Sequence, residues 1–228
     1  MATGDLRSEE EVQEYLENLG IEYRFQCFGE KKSDGCHRLG DFLEAVKKDA
    51  AKACRVYKVN CEDHQYGHSC YKYGNYLATG KGGVTKDDKA AYESYKTGCD
   101  SKYWPACHNA AQILASGKAT DKREYEKAAE LYKVACDNDL SESCYYLGSY
   151  YIVGKEGLPQ NFKEGFKYSK QACDLGHIPA CINISMMYKN GHGVEKDQEK
   201  SKLYSQKAKD LREQIANPEP AITFGETS

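Results

Sequence analysis

The residues best suited to chemistry in this chain are its eleven cysteines, ten of which form five closely spaced pairs. Each pair has a C-x7-C or C-x8-C spacing, and Cys54 is left over. The pairs are Cys27–Cys36, Cys61–Cys70, Cys99–Cys107, Cys136–Cys144 and Cys173–Cys181. Thiols in such a pattern can form disulfides, ligate a metal or exchange electrons.

Disulfides are the chemistry that this spacing favours. The two Cα atoms of a disulfide lie about 4.4–6.8 Å apart, whereas eight residues of straight helix span roughly 12 Å. The chain must therefore reverse between the cysteines of a pair, and NDLSES at 138–143 is suited to a reversal. Each bridge would join the end of one helix to the start of the next. Zinc is the alternative, but the C-x-x-C spacing typical of structural zinc sites does not occur in the sequence.

The pairs recur every 34 to 38 residues or so, a period typical of helical repeat proteins. Four repeats place a glycine ten positions after the second cysteine, namely Gly80, Gly117, Gly154 and Gly191. Glycine suits the left-handed residue just beyond a helix end, and Pro105 and Pro179 suit first helical turns. Ser69 and Ser141 are predicted as N-caps. The repeats are therefore predicted to be helical hairpins, in which small alanines make room for large tyrosines.

The ends of the chain are predicted to close this array. Residues 1–25 are assigned to an N-terminal capping helix, which starts with a capping box of Ser8 and Glu11 and stops at Gly20. Residues 26–213 are predicted to form five disulfide-linked helix-turn-helix repeats with a C-terminal capping helix. Residues 214–228 are predicted to be a mobile tail, in which Ile222 and Phe224 could dock on the last helix.

Composition restricts the classes of function. The formal net charge of the 228 residues is −3 and no basic stripe suggests nucleic acid. No apolar run approaches the roughly 18 residues of a membrane span. The first residues are acidic and lack an apolar signal core, although paired cysteines indicate an oxidising compartment. We therefore expect a monomer that reaches such a compartment without a cleaved leader, or a mature form whose leader has been removed.

The segment SCYYLGSYYIVGKEG (143–157) resembles the Sel-one-like repeat, a relative of the tetratricopeptide repeat. Its repeat pattern is matched by Leu147, Gly148, Tyr151 and Gly154 in one copy, and by Tyr188, Gly191, Gly193, Val194 and Asp197 in another. The resemblance covers roughly residues 27 to 210. It implies an all-α fold, a right-handed α-solenoid of helical hairpins stapled by disulfides.

Within that family the chain resembles the disulfide-rich members that assemble cytochrome c oxidase in animal mitochondria. The segments ACDLGHIPAC (172–181) and CYKYGNYLATGKGG (70–83) carry this resemblance. It implies a scaffold of the mitochondrial intermembrane space that is oxidised by the disulfide relay there. Such a scaffold would bind assembly components of respiratory complex IV and would not be an enzyme.

Histidines and methionines are candidate ligands in two alternative interpretations, a metal site and a haem site. In CEDHQYGHSC (61–70), His64 and His68 could complete a Cys2His2 site, although a polar reversal closed by a disulfide is favoured. Non-covalent haem requires axial ligands in one groove, for which the candidates are His108, His177, Met186 and Met187. Packing is the favoured role of these four residues, so no metal site is predicted and haem is kept only as an alternative.

The unpaired Cys54 supplies a redox alternative. It could attack the neighbouring bridge, in which case the chain would be a disulfide reductase acting on thiols of copper-delivery factors. A buried, inert thiol is favoured, and no catalytic residue is predicted. A third alternative is a secreted cysteine-rich protein that binds peptides.

Overall fold

The computed structural model describes residues 8–217, and the helices in that part of the chain number eleven. They are α1 (Glu9–Arg24), α2 (Ser33–Ala45), α3 (Ala50–His64), α4 (Gly67–Thr79), α5 (Asp88–Asp100), α6 (Trp104–Ser116), α7 (Tyr125–Cys136), α8 (Ser141–Val153), α9 (Phe162–Asp174), α10 (Ile178–Asn190) and α11 (Gln198–Ala216). A π-helical turn, Phe25–Gly29, continues α1. Most of the predicted tail, including Ile222 and Phe224, lies outside the described residues.

The helices belong to two compact units, which divide after Glu124. The N-terminal unit contains the hairpins α1/α2, α3/α4 and α5/α6. The C-terminal unit contains the hairpins α7/α8 and α9/α10, and α11 packs against α10. Each hairpin buries its apolar face against its neighbour within the unit, as expected of repeats that cannot bury that face alone.

Disulfides join the two helices of every hairpin. The Sγ atoms of the five cysteine pairs lie 2.01–2.15 Å apart and their Cα atoms 4.3–4.7 Å apart. In each pair the first cysteine lies at the end of one helix or in the π-helical turn, and the second lies in the first turn of the next helix. The predicted fold class, an all-α solenoid of hairpins stapled by disulfides, is therefore confirmed.

Local sequence signals account for most helix boundaries. The Ser8 side chain accepts a hydrogen bond from the Glu11 N–H, and the Glu11 carboxylate accepts one from the Ser8 N–H, both at 3.1 Å. At the other helix ends, Gly80, Gly117 and Gly191 adopt the left-handed conformation predicted for them. Gly154 has a positive φ of 76° but an extended ψ of 146°. Four first helical turns are capped by acceptor side chains that the sequence arguments overlooked, Asp49, Asp87, Asn161 and Asp197.

The prediction that Gly20 ends the first helix is wrong. The helix continues to Arg24, and Gly20 is buried where α1 meets α2. A Cβ atom at this position would lie 2.7 Å from Cε1 of Phe42. Glycine at this position allows two helices to approach closely. It does not end α1 in the left-handed conformation.

The two serines predicted as N-caps do not cap helices. Tyr66 and Leu140 occupy the N-cap positions of α4 and α8, and neither provides a side-chain cap. Ser69 lies inside the first turn of α4, where it is fully buried and bonded to other helices. Hydroxyl groups close to a helix start can thus serve tertiary contacts instead of backbone N–H groups.

Candidate functional site

Rings of histidine and tyrosine recur at one position of the hairpins. In four hairpins the residue directly after the second cysteine has an aromatic ring: His37, Tyr71, His108 and Tyr145. The rings of His37, Tyr71 and Tyr145 each pack on the N-cap residue of the second helix in the next hairpin. The pairs are His37–Tyr66 at 5.6 Å and Tyr71–Tyr103 at 5.2 Å between ring centroids in the N-terminal unit, and Tyr145–His177 at 4.4 Å in the C-terminal unit.

In the N-terminal unit these contacts form a continuous row. The exposed ring of His68 lies between Tyr66 and Tyr103, with centroid distances of 5.3 Å and 4.2 Å. We call His37, Tyr66, His68, Tyr71 and Tyr103 the aromatic row. Its rings other than His68 are partly buried, and a disulfide next to His37 and to Tyr71 fixes the backbone that carries them. The row is therefore a preformed surface of amphipathic rings.

A charged network supports the row from beneath. The Tyr57 hydroxyl donates to Asp41 at 2.5 Å, and Glu44 accepts from Tyr76 at 2.8 Å and from Lys72 at 2.7 Å. Burial opposes ionisation of Glu44, but the hydrogen bonds from Lys72 and Tyr76 outweigh it and lower the pKa of that carboxyl. Burial, followed by the bond to Asp41, raises the pKa of Tyr57. At neutral pH Glu44 is therefore ionised, Lys72 is charged, and Tyr57 and Tyr76 are neutral.

Ser69, His37 and Asp41 lie in an order that superficially suggests a hydrolytic triad. The Ser69 hydroxyl is 3.2 Å from Nδ1 of His37, whose Nε2 is 3.4 Å from an Asp41 oxygen. However, Ser69 is fully buried, and its Oγ already accepts a hydrogen bond of 2.7 Å from Asn60. Burial lowers the pKa of His37, with Asp41 opposing that shift. Because no substrate can reach this hydroxyl, the arrangement serves to hold hairpins together.

The structure separates the residues predicted as alternative metal ligands. Cys61 and Cys70 are bonded to each other, so neither offers a thiolate. His68 belongs to the aromatic row, whereas His64 is exposed at the end of α3. Among residues 8–217, no group of three or more histidine, cysteine or acidic side chains is placed to hold a metal ion.

The three residues of the C-terminal unit that are predicted as alternative haem ligands do not fit one iron. His177 caps α10 by accepting from the Ala180 N–H at 3.4 Å, and Met186 lies nine residues further along that helix. Nine residues correspond to roughly 13 Å of rise and to opposite helix faces. Met187 is only 4% exposed. Within the C-terminal unit, His177, Met186 and Met187 therefore supply no facing pair of axial ligands. In the N-terminal unit, Nε2 of His108 is 2.9 Å from the Gln112 side chain.

The unpaired thiol of Cys54 is shielded from solvent. It is 2% exposed and belongs to a core cluster that also contains the Cys27–Cys36 bridge. Burial raises the pKa of Cys54, although nearby Lys58 and Arg55 oppose the shift. The thiolate needed for disulfide exchange is therefore scarce at neutral pH.

A second surface, which the sequence arguments missed, is a groove in the N-terminal unit. It has a volume of about 700 Å³ and lies between the π-helical turn, α2 and α3. Its apolar lining consists of Phe28, Leu39, Leu43, Val56, Val59 and the Cys27–Cys36 bridge, and its polar lining consists of Arg24, Lys31, Lys52, Arg55, Asp63 and His64. We call it the basic groove. The repeat of apolar and basic residues along KACRVYKV (52–59) is the signal that could have indicated it.

Within residues 8–217, none of the helices has the length and apolarity required to cross a membrane.

Comparison with known proteins places the repeats in a described family. The family model named Sel1 repeat matches residues 67–101, 104–140, 141–177 and 178–212. Cytochrome c oxidase assembly factor 7 of Xenopus tropicalis is 42% identical over 226 residues, which cover 97% of this chain and 98% of that protein. A Drosophila melanogaster protein named as its homolog is 55% identical over 97 residues, covering 42% of this chain and 36% of that protein.

Solved structures of low sequence identity share the fold. A Sel1 repeat protein from Oxalobacter formigenes aligns with a TM-score of 0.70 at 22% identity and covers 88% of this chain and 83% of that one. The protective antigen c5321 of uropathogenic Escherichia coli aligns with a TM-score of 0.61 at 18% identity, covering 83% and 48%. At such identities the likeness concerns the fold alone.

Proposed function

The chain belongs to the Sel1 repeat family, and we propose that it serves the assembly of cytochrome c oxidase as a non-enzymatic, protein-binding scaffold. The observation that carries the proposal is the aromatic row on its disulfide-fixed frame. It occurs in a chain 42% identical, over nearly its full length, to a protein named cytochrome c oxidase assembly factor 7. Its partners would be assembly components of complex IV.

The row has the properties of a protein interface. Tyrosine is enriched at interfaces because its ring buries a large area at a small cost in conformational entropy and its hydroxyl keeps a polar contact. Rings held by disulfides and mutual stacking lose little further freedom on binding, which favours affinity. The two candidate nucleophiles considered above, Ser69 and Cys54, are both buried and are not accessible to a substrate.

We further propose that the chain acts in the mitochondrial intermembrane space and receives its disulfides from the relay there. Five local disulfides require an oxidising compartment, because cytosolic glutathione keeps such thiols reduced. Protease protection would check this location: the chain should be resistant in intact mitochondria and cleaved once the outer membrane is ruptured. Non-reducing peptide mapping should recover the five local pairs, and a secreted form with a cleaved leader would contradict the proposal.

Complementation tests the assembly role. In cells that lack the protein, the amount of cytochrome c oxidase on native gels should fall and should be restored by the wild type. A His68→Ala/Tyr103→Ala variant should restore it poorly because the row loses two adjoining rings. Tyr15→Ala is the matched control, since Tyr15 is exposed on α1 outside the row.

Crosslinking and mass spectrometry from intact mitochondria would identify the partner. Complex IV assembly components should be crosslinked to the wild type and to Tyr15→Ala, and weakly to the row variant. Normal oxidase in cells without the protein, or full rescue by a row variant that folds, would overturn the proposal. Folding is checked by fluorescence of Trp104, the single tryptophan of the chain.

A further inference from the structure

The basic groove exposes more apolar surface than isolated surface residues normally do. Phe28 and Val59 line it and are 65% and 48% exposed, and Phe25, 63% exposed, lies in the same π-helical turn as Phe28. Contiguous exposed apolar side chains with a polar rim are typical of interaction sites. Leu39 and Leu43, which are buried, form the floor and connect the groove to the core.

The π-helical turn is responsible for this exposure. A π turn accommodates one more residue than an α turn, which shifts the side chains that follow relative to a regular helix. Here Cys27 stays buried in its disulfide, while Phe25 and Phe28 on either side face solvent. Gly29 permits the turn to close on Phe25, because a Cβ atom at position 29 would lie 3.0 Å from that ring. The turn thus presents two phenylalanines beside the groove without disturbing the core.

The charge of the rim is strongly positive although the chain has a net charge of −3. Four cationic side chains face one carboxylate, Asp63, among the residues that line the groove. Lys52 is partly neutralised, since its ammonium lies 2.7 Å from Asp49. Arg24, Lys31 and Arg55 have no carboxylate within ion-pair distance among the described residues. The rim therefore attracts an acidic ligand.

We propose that the basic groove binds an amphipathic helix of a partner protein that carries acidic residues beside its apolar stripe. A volume of about 700 Å³ accommodates about three or four apolar side chains, which matches the anchors that a helix presents at i, i+3, i+4 and i+7. Carboxylates flanking that stripe would reach Arg24, Lys31 and Arg55. The proposal rests on the protein-binding role proposed above but not on cytochrome c oxidase as the client.

Peptide binding to the full chain tests the inference. The probes are a fluorescent 20-residue helix with leucines at the anchor positions and flanking glutamates, the same helix with lysines in place of the glutamates, and a scrambled acidic sequence. Fluorescence anisotropy should show the acidic helix binding at least tenfold more tightly than the other two. Its affinity should also fall as salt is added, because the rim charges are solvent-exposed.

Two charge reversals on α3 provide a matched pair of variants. Arg55→Glu should weaken the acidic helix at least tenfold, whereas Lys58→Glu, one turn along the same helix but outside the groove, should change affinity less than twofold. Val59→Glu should weaken binding by blocking the apolar lining. Both Arg55 and Val59 are exposed, so the variants should fold, and Trp104 fluorescence verifies this for the N-terminal unit.

Several outcomes would overturn the inference. These are equal binding of acidic and basic helices, an Arg55→Glu variant as tight as the wild type, and no binding of any helix. Preferential binding of anionic phospholipid vesicles, or a dimer in sedimentation that Val59→Glu dissociates, would assign the groove to a membrane or to a second copy and overturn it as well. None of these results alters the expected crosslinks to complex IV components through the aromatic row, so the two proposals fail separately.

Discussion

The two units place glycine at the same repeat position but use it for different packing. In the N-terminal unit Gly40 makes room for the buried ring of Tyr57, which lies 2.3 Å from where a Cβ atom would be, and Gly74 does the same for Tyr95 at 2.6 Å. In the C-terminal unit Gly148 instead faces Ser169, with the Ser169 Oγ 2.8 Å and the Ser169 backbone nitrogen 3.0 Å from the position of a Cβ atom. At this repeat position, therefore, Gly40 and Gly74 make room for rings, whereas Gly148 allows two helix backbones to approach each other.

The units also differ in the partners of their tyrosine hydroxyls. In the N-terminal unit Tyr57 and Tyr76 are buried, and their hydroxyls donate to the partly exposed carboxylates of Asp41 and Glu44. In the C-terminal unit Tyr132 is surrounded by other rings, with Tyr146 stacked at 5.4 Å and Tyr150 edge-on at 5.6 Å. Tyr57 and Tyr76 thus bond to carboxylates at the edge of the core, whereas Tyr132 packs among other rings.

Removal of a disulfide should have the largest effect and should not distinguish the units. In the chain-entropy account, a bridge that closes so short a loop stabilises by about 2.5 kcal/mol. We expect Cys61→Ala/Cys70→Ala and Cys173→Ala/Cys181→Ala each to lower the free energy of unfolding by roughly that amount. Peptide-resolved hydrogen exchange would show whether protection falls only in the unit that lost its bridge. A much larger loss of stability in one unit would mean that the disulfides do not stabilise the two units equally.

Substitution of glycine by alanine at this repeat position should distinguish packing against a ring from packing against a backbone. We expect Gly40→Ala to cost about 2 kcal/mol, since overpacking exceeds the gain in helix propensity. Shortening the facing ring in Gly40→Ala/Tyr57→Leu should recover part of this cost, because a ring atom is the obstacle. In Gly148→Ala/Ser169→Ala a smaller recovery is expected, because the backbone nitrogen of Ser169 and the carbonyl oxygen of Gly165 remain close to the added Cβ atom. Double-mutant cycles from urea unfolding measure the coupling, and equal coupling in both units would contradict the comparison.

Periodic signals made the hairpins predictable from the sequence. Glycine ten positions after a cysteine marks a helix end at Gly80, Gly117 and Gly191. These helix ends were predictable because they depend only on the local backbone conformation, which glycine favours. The prediction of a helix end at Gly20 is wrong, because glycine is required there to avoid a clash with Phe42 on the next helix. A glycine that serves close packing and a glycine that ends a helix look alike until the neighbouring helix is known.

The candidate surfaces depend on contacts between distant residues and could not be predicted in the same way. His37 meets Tyr66 because two hairpins stack, and nothing near either residue reports that contact. The basic groove depends on a π-helical turn, which the apolar pattern of α1 does not indicate. The proposed haem ligands illustrate the converse: His177 and Met186 are close in sequence, but a straight helix separates them.

Loss of a single hydroxyl should distinguish Tyr57, which bonds to a carboxylate, from Tyr132, which packs among other rings. Tyr57 donates to a charged acceptor, and hydrogen bonds of that kind contribute roughly 1.5–3 kcal/mol. We expect Tyr57→Phe to cost about 1.5 kcal/mol and to leave Asp41 without its donor. Tyr132→Phe should cost less than about 1 kcal/mol, because its ring neighbours are tyrosines and not carboxylates. Urea unfolding followed by circular dichroism measures both variants, and a larger loss at Tyr132 would reverse the contrast.

Acidification should produce the smallest effect, one that involves a histidine in each unit. Burial lowers the pKa of both His37 and His177, while Asp41 opposes the shift at His37 and Glu142 opposes it at His177. A histidine whose pKa is lower in the folded chain than in the unfolded one contributes its full stability above about pH 6.5, and this contribution is lost as the pH falls below that value. Both units should therefore become less stable between about pH 7 and pH 5.

Substitution of each histidine would assign the acid sensitivity to a unit. His37 also faces His68 and Lys72, which lower its pKa further, and Asp34, which raises it. We expect His37→Gln to flatten the pH dependence of unfolding seen by Trp104 fluorescence, which reports the N-terminal unit. His177→Gln should leave that signal unchanged and reduce the pH dependence of hydrogen-exchange protection in α8 and α10, where its ring stacks on Tyr145. An unchanged acid limb in His37→Gln would show that a group other than His37 governs the response of the N-terminal unit to acid.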